Sequence, residues 1–204
     1  ASEWVADEVD AGPGMRVVDL CAAPGGKATA LAASGAFVVA GDRAAGRVKL
    51  LAANAARWGQ ARTAVVRADA TAAPLRSSGF ARVLADAPCS GLGALGRRPD
   101  ARWRIDEAGV ERLAALQRRI LDDAVRLVEP GGLLVFSVCT MTAAETVAID
   151  GWLAERHPEL EAIAPVGPHW RPWGRGGLIL PQDQGTDGMT VFRYRRPAAP
   201  VSGT

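Results

Sequence analysis

Arg16-Val17-Val18-Asp19-Leu20-Cys21-Ala22-Ala23-Pro24-Gly25-Gly26-Lys27 is the stretch that decides the fold. After Arg16, the next four residues are β-branched or apolar around a single Asp, the pattern of a short buried strand. The next residues are small, with Pro24, Gly25 and Gly26 marking a turn, and an Ala/Leu-rich helical run follows from Ala28 to Ala33. A strand that ends in Asp, turns on glycines and enters a helix opens a parallel α/β sheet. In such sheets ligands bind beyond the carboxyl ends of the strands, where loops and helix N-termini converge.

The same alternation continues along the chain. Further strands are expected at Ala36 to Gly41, Thr63 to Arg67, Arg82 to Ala85 and Leu133 to Val138, with a last one at Thr190 to Tyr194. Helices are expected at Glu3 to Val9 with Ser2 as N-cap, at Ala45 to Trp58, and at Thr142 to Glu155. A long helix from Glu107 to Val128 carries Leu113, Leu116, Ile120, Leu121, Ala124 and Leu127 on one face, and Pro130-Gly131-Gly132 stops it. Leu160 to Ile163 is a short hydrophobic stretch. His169 to Gly177, with its tryptophans and glycines, reads as a loop, and Pro197 to Thr204 as a disordered tail. The whole is one domain, residues 1–196.

Composition narrows the setting. The chain has 204 residues, 49% of them hydrophobic, which is ample for one buried core. No apolar run approaches the ~20 residues of a membrane-spanning helix, and no signal peptide opens the chain. Three cysteines, Cys21, Cys89 and Cys139, form neither a disulfide framework nor a zinc spacing. A cytoplasmic protein without a membrane or metal is expected. The net charge of +2 does not itself imply nucleic acid, but its distribution is uneven. Lys27 and Lys49 are the only lysines, and arginines gather at Arg97, Arg98, Arg102 and Arg104, at Arg171 and Arg175, and at Arg193, Arg195 and Arg196. Guanidinium forks bind phosphates bidentately. Arg replacing Lys in an Ala- and Arg-biased chain explains the same counts equally well.

Polar residues fall at the end of each of the first five expected strands: Asp19, Asp42, Asp69, Asp86 with Cys89, and Cys139. The turn Cys21-Ala22-Ala23-Pro24-Gly25-Gly26-Lys27 is neither G-x-G-x-x-G nor a phosphate loop, although its small residues let backbone approach a ligand. Asp42 stands 23 residues beyond Asp19, where a nucleoside-binding fold places a carboxylate for ribose hydroxyls. Alone it reads equally as a helix cap before Ala44. Asp69 is a candidate acceptor for an adenine amino group. A nucleoside site without a pyrophosphate loop points to S-adenosyl-L-methionine over NAD.

Taken together, Asp19-Leu20-Cys21-Ala22-Ala23-Pro24-Gly25-Gly26-Lys27, Asp86-Ala87-Pro88-Cys89-Ser90-Gly91 with Arg97-Arg98-Pro99-Asp100, the Cys139 segment, and Leu180-Pro181-Gln182-Asp183-Gln184-Gly185-Thr186-Asp187-Gly188 resemble the Sun/Fmu-type RNA cytosine-5 methyltransferases. The resemblance runs in order over nearly the whole chain. It implies a Rossmann-like methyltransferase fold, a mostly parallel seven-stranded sheet with an antiparallel last strand. It implies S-adenosyl-L-methionine as cofactor, held by Cys21 to Lys27, Asp42, Asp69 and Asp86. It implies RNA as partner, 16S ribosomal RNA ahead of tRNA, bound by a monomer. By motif position Cys139 matches the nucleophile, Cys89 the cysteine that assists product release, and Asp86 and Lys27 active-site residues. The family's N-terminal RNA-binding domain is expected to be absent from this stretch.

Those roles make chemical sense. Carbon 5 of cytosine becomes nucleophilic only after a thiolate adds to carbon 6, so Cys139 needs a lowered pKa or a nearby base. Helix amides near Thr142 are a candidate stabiliser of that thiolate, and a protonated Asp86 a candidate donor toward N3. Cys89 is placed to take the carbon-5 proton. Around Trp103, the arginines Arg97, Arg98, Arg102 and Arg104 are candidates for RNA phosphates while the indole stacks on a base; packing of Trp103 on the sheet is the alternative. For Cys21 simple packing beside the cofactor loop suffices. The chain departs from the family at Val138 and Thr140 around the nucleophile, at Ala143-Ala144-Glu145-Thr146, and at Met189-Thr190. A DNA cytosine methyltransferase would leave Cys139 without purpose. A small-molecule methyltransferase would explain neither cysteine, and a non-catalytic RNA-binding factor would not need both.

Overall fold

The computed structural model describes residues 1–58 and 62–199. In chain order the elements are α1 (Ser2–Glu8), β1 (Arg16–Asp19), α2 (Gly26–Ala33), β2 (Phe37–Asp42), α3 (Ala45–Arg57), β3 (Thr63–Arg67), β4 (Phe80–Asp86), α4 (Ala101–Arg104), α5 (Glu107–Leu127), β5 (Val128–Val138), α6 (Val147–Arg156), β6 (Glu161–Ile163), β7 (Arg171–Trp173), β8 (Gly176–Ile179), α7 (Pro181–Gln184) and β9 (Met189–Arg195). The strands form one sheet in the order β3-β2-β1-β4-β5-β9-β8-β7, and β6 also pairs with β9. β1 to β5 run parallel, whereas β9 is antiparallel to β5, with Phe136 opposite Phe192. The order reverses between β1 and β4, so a crevice is expected at their carboxyl ends, where Asp19 and Asp86 sit.

Strand alternation divides the core into two layers. Val18, Val83, Leu134, Phe136 and Phe192 face α5 and α6, burying Ile120, Leu121, Ala124, Ile149 and Leu153. Val17, Leu84, Val135 and Val191 face the other side, against Val5, Leu31 and Leu51 of α1, α2 and α3. Both faces of the central strands are therefore dry, which is why they read as nearly continuous apolar runs.

Several expectations need correction. The sheet has nine strands rather than seven among the described residues, because β6 and the β7–β8 hairpin add to it. The hairpin occupies the stretch expected as a loop: Arg171 pairs with Leu178 and Trp173 with Gly176. Ser2 begins α1 instead of capping it, and the N-cap position is Ala1. β5 starts at Val128, directly after α5, so Glu129-Pro130-Gly131-Gly132 lies within an irregular strand start. Helix α6 begins at Val147, because Thr146 at φ −128°, ψ −96° separates it from a single 3₁₀ turn at Ala143–Glu145. Of the expected tail, residues 200–204 lie outside the described residues.

Candidate active site

The turn after β1 is built for close approach. Gly25 adopts φ +116° at the N-cap of α2, and a Cβ there would lie 3.0 Å from Leu51 Cδ1. Only glycine meets both demands cheaply. The turn is tied down from the side: the Ala22 amide donates to the Gly41 carbonyl at 2.8 Å, and Asn54 donates to the Pro24 carbonyl at 2.8 Å. Ser2, Asp19, Ala22, Ala23, Pro24, Gly26, Lys27 and Asp86 line a cavity of about 110 Å³ at this end. A shallow depression lined by Gly14, Arg16, Arg82 and Glu129 is larger but lies at the opposite end of the strands, away from every residue singled out above.

Asp19 is 1% exposed, and sequence reasoning did not give it a role of its own. Its Oδ1 accepts from the Cys21 amide at 3.3 Å, while its buried Oδ2 has no partner. Burial, with the Asp86 charge second, pushes its pKa up to about 7. An orphaned carboxylate oxygen facing a small cavity fits the ammonium end of an amino-acid ligand. A linked stability effect follows. The folded carboxyl keeps its proton to higher pH than the unfolded one, so stability falls as pH rises from about 4 to about 7, by at most about 4 kcal/mol. Asp19→Asn should flatten that loss. Thermal melts of ligand-free wild type and variant at pH 4.5 and pH 8 check it, with the variant gaining on wild type only at the higher pH.

Lys27 Nζ lies 2.7 Å from Asp86 Oδ2, and the Ser137 hydroxyl donates to Asp86 Oδ1 at 2.7 Å. Both side chains are mostly buried. Asp86 thus faces a cation and a hydroxyl donor, one on each carboxyl oxygen. Asp42, 7% exposed, ends β2; its Oδ1 accepts from the Ala44 amide at 3.0 Å and its Oδ2 pairs with Arg47 Nε at 2.9 Å. The N-cap of α3 is Ala44, so Asp42 makes a turn before the helix instead of capping it. Asp69 accepts from the Thr71 amide and hydroxyl at 2.9 and 2.8 Å, bonds that hold its carboxyl below the usual range, and its other oxygen lies 3.9 Å from the Arg43 guanidinium.

Cys89 and Cys139 meet, with their sulfurs 3.3 Å apart. They arrive from loops after adjacent strands, β4 and β5. The neighbouring hydroxyls of Ser90 and Thr140 bond at 2.8 Å in a buried contact, and Thr190 donates to the Thr140 carbonyl at 2.8 Å. Thr140 and Thr190, which belong to two separate departures from the family pattern, are therefore bonded to each other. Donation from Cys89 to Cys139 raises the Cys89 thiol and lowers that of Cys139, and Lys27 further favours the Cys139 thiolate. Cys21 remains protonated, pushed up by burial and by the Asp19 charge. The amides expected to stabilise Cys139 do not reach it as a helix terminus, since α6 starts eight residues on at Val147. Gly93 closes the loop: its amide donates to the Cys139 carbonyl at 2.9 Å, and its carbonyl accepts from Gly188 at 2.8 Å. A Cβ on Gly93 would collide with the Gly188 carbonyl and lie 3.0 Å from that of Cys139.

The expected RNA-facing residues share one exposed patch before α5. Trp103 is 81% exposed and packs on nothing in the sheet, with the Arg102 guanidinium 5.1 Å from its ring centre. Arg97 makes a two-pronged pair with Asp187 of the C-terminal motif, one bond at 2.9 Å, and Arg104 pairs with Asp100. Arg98 is exposed. Other arginines serve as struts: the exposed Arg175 is bidentate to the buried Asp150, and the buried Arg193 pairs with Glu8 at 3.4 Å. The basic clusters read from the sequence were only partly surface.

Residues 9–195 match the family described as 16S rRNA methyltransferase RsmB/F. The ribosomal RNA small subunit methyltransferase B of Thermus thermophilus is 38% identical over 200 residues, covering 96% of this chain and 48% of that protein. The ribosomal RNA small subunit methyltransferase F of Citrobacter koseri is 36% identical over 198 residues, 90% of this chain and 40% of that one. The crystal structure of PH0851 superposes with a TM-score of 0.90 at 33% identity, covering 95% of this chain and 45% of the other. NSun6 from Pyrococcus horikoshii with SFG has the same fold, with a TM-score of 0.85 at 22% identity over 97% of this chain and 52% of the other. The chain spans less than half the length of both methyltransferases from Thermus and Citrobacter.

Proposed function

Because the chain belongs to the 16S rRNA methyltransferase RsmB/F family, we propose that it is the catalytic domain of a cytosine-5 methyltransferase acting on 16S ribosomal RNA in the cytoplasm. Its fold is that of S-adenosylmethionine-dependent Rossmann-like methyltransferases, and S-adenosyl-L-methionine is its cofactor. The observation that carries the finer reading is the 3.3 Å approach of Cys89 and Cys139 beside the Lys27–Asp86 pair. One thiol adding to a base and a second removing a proton explain why two should meet there.

The residues suit the cofactor. The orphaned Asp19 oxygen and the small-residue turn Cys21 to Lys27 would receive its amino-acid end, and Asp42 and Asp69 its ribose and adenine. When bound, the cofactor supplies an electrophilic methyl group. Cys139, the thiol of lowered pKa, adds to carbon 6 of cytosine and moves electron density to carbon 5. Charge developing toward N3 is met by the Lys27 ammonium, which Asp86 holds in place, itself fixed by the Ser137 hydroxyl. After methyl transfer, Cys139 is bonded to carbon 6 and is no longer a thiolate accepting from Cys89. Cys89 then gives its own proton to water and, as a thiolate, takes the carbon-5 proton, directly or through water. The carbon-5 bonding pair restores the ring double bond, and Cys139 leaves as a thiolate. Arg97, Arg98, Arg102, Trp103 and Arg104 bind and stack on the RNA around a flipped base, whose extrusion costs a few kcal/mol. Among the described residues no helix is long and apolar enough to cross a membrane.

The test is product identity. Unmodified 16S rRNA incubated with the protein and methyl-labelled cofactor, then digested to nucleosides, should carry label in 5-methylcytidine. Label confined to another nucleoside would overturn the assignment.

A further inference from the structure

We propose that Glu145 and Gln117 are positioning residues that together hold Cys89 against Cys139. Both side chains are 0% exposed. The Glu145 carboxylate accepts from the Ser90 amide at 2.9 Å, from Gln117 Nε2 at 3.0 Å and from the Thr142 hydroxyl at 2.9 Å. Gln117 Nε2 also donates to the Pro88 carbonyl at 2.9 Å. Cys89 is therefore gripped on both sides, through the carbonyl before it and the amide after it. Thr142 ties the same carboxylate to the loop that carries Cys139.

The arrangement is a poor way to gain stability. Among the described residues no Lys, Arg or His lies within salt-bridge reach of Glu145, and Gln117 Oε1 is buried with no partner. Burying a carboxylate without a counter-ion is unfavourable, and an apolar pair of similar volume is often at least as stable. What the polar pair provides is direction. Two acceptors, Pro88 and Glu145, fix which way the Gln117 amide points, and three donors fix the carboxylate. Second-layer hydrogen bonds of this kind hold reacting groups to within a fraction of an ångström.

The inference rests on the reading of Cys89 and Cys139 as a working pair, but its test does not need methyl transfer. Diamide accepts two electrons and two protons from adjacent thiols and joins them as a disulfide. The rate at which purified protein forms the Cys89–Cys139 link, located by peptide mass mapping, reports their approach. Wild type should link readily. Glu145→Gln should link at least as fast as wild type: its oxygen still accepts from Ser90 and Gln117, its amide donates to the Thr142 hydroxyl, which reverses its role, and the negative charge beside Cys89 is gone. Glu145→Ala and Gln117→Leu should link roughly 10-fold more slowly while binding cofactor normally by calorimetry. Loss of the negative charge alone would favour the thiolate and speed the reaction, so slowing reports geometry.

Wild-type linking rates in cofactor-competent Glu145→Ala, or in Gln117→Leu if the first does not fold, would overturn the proposal. So would Glu145→Gln as slow as Glu145→Ala. With RNA and cofactor, the slow variants should also accumulate covalent adduct. Slowed linking with no adduct in any variant would uphold the positioning role and count against the release role of Cys89.

Discussion

Cys139→Ala should lower methyl transfer on the order of 10⁴-fold or more, because no other group can activate carbon 5. Cofactor affinity should be unchanged, since the cavity beside Asp19 and the Lys27–Asp86 pair is lined by other residues. Fold stability should also hold: the substitution removes one sulfur contact from a partly exposed site. Loss of turnover with intact calorimetric cofactor binding is the expected pattern. Residual activity within tenfold of wild type would show that Cys139 does not add to the base. The pH profile carries a second signature, because a thiol of lowered pKa moves the rise of wild-type adduct formation to lower pH than an ordinary cysteine would show. Cys89→Ala deletes the donor that lowers it, so its adduct formation should need higher pH, and Cys89→Ser should restore the donor.

Cys89→Ala should turn a catalyst into a trap. The methylated base would remain bonded to Cys139 because nothing is placed to take the carbon-5 proton, leaving a protein–RNA complex stable to denaturing gel electrophoresis. Turnover should fall to a single event or less per protein, against multiple turnovers in wild type. The contrast between the two alanine variants is the strongest separation of roles that the geometry offers. Equal inactivity of both, without adduct in either, would mean the 3.3 Å approach has another purpose.

Much of this was legible in the sequence because it is local. The strand and turn from Arg16 to Lys27 fold as their composition dictates, and the alternation of apolar runs with helical stretches gives β1 to β5 in register. Strand-end placement put Asp19, Asp42, Asp86, Cys89 and Cys139 on one edge. What was not legible depends on distant partners. The β7–β8 hairpin has three- and four-residue strands containing Pro172 and two glycines, and it exists because β9 offers an edge. Arg193 looked like surface charge until Glu8 met it inside, and Arg175, though exposed, is committed to the buried Asp150. The partner of Asp86 is Lys27, 59 positions away. Gln117 did leave a signal, a polar residue on the apolar face of α5, yet nothing near it in sequence names Glu145 as its partner.

The most direct measurement of the central claim uses 16S rRNA bearing 5-fluorocytidine, incubated with wild-type protein and S-adenosylmethionine. Fluorine cannot leave carbon 5 as a cation in place of the proton, so the intermediate should persist and be mapped by mass spectrometry. The account predicts one RNA-linked peptide, joined through Cys139 and carrying the transferred methyl group. Attachment through Cys89, or methylated RNA with no covalent link at all, would contradict it.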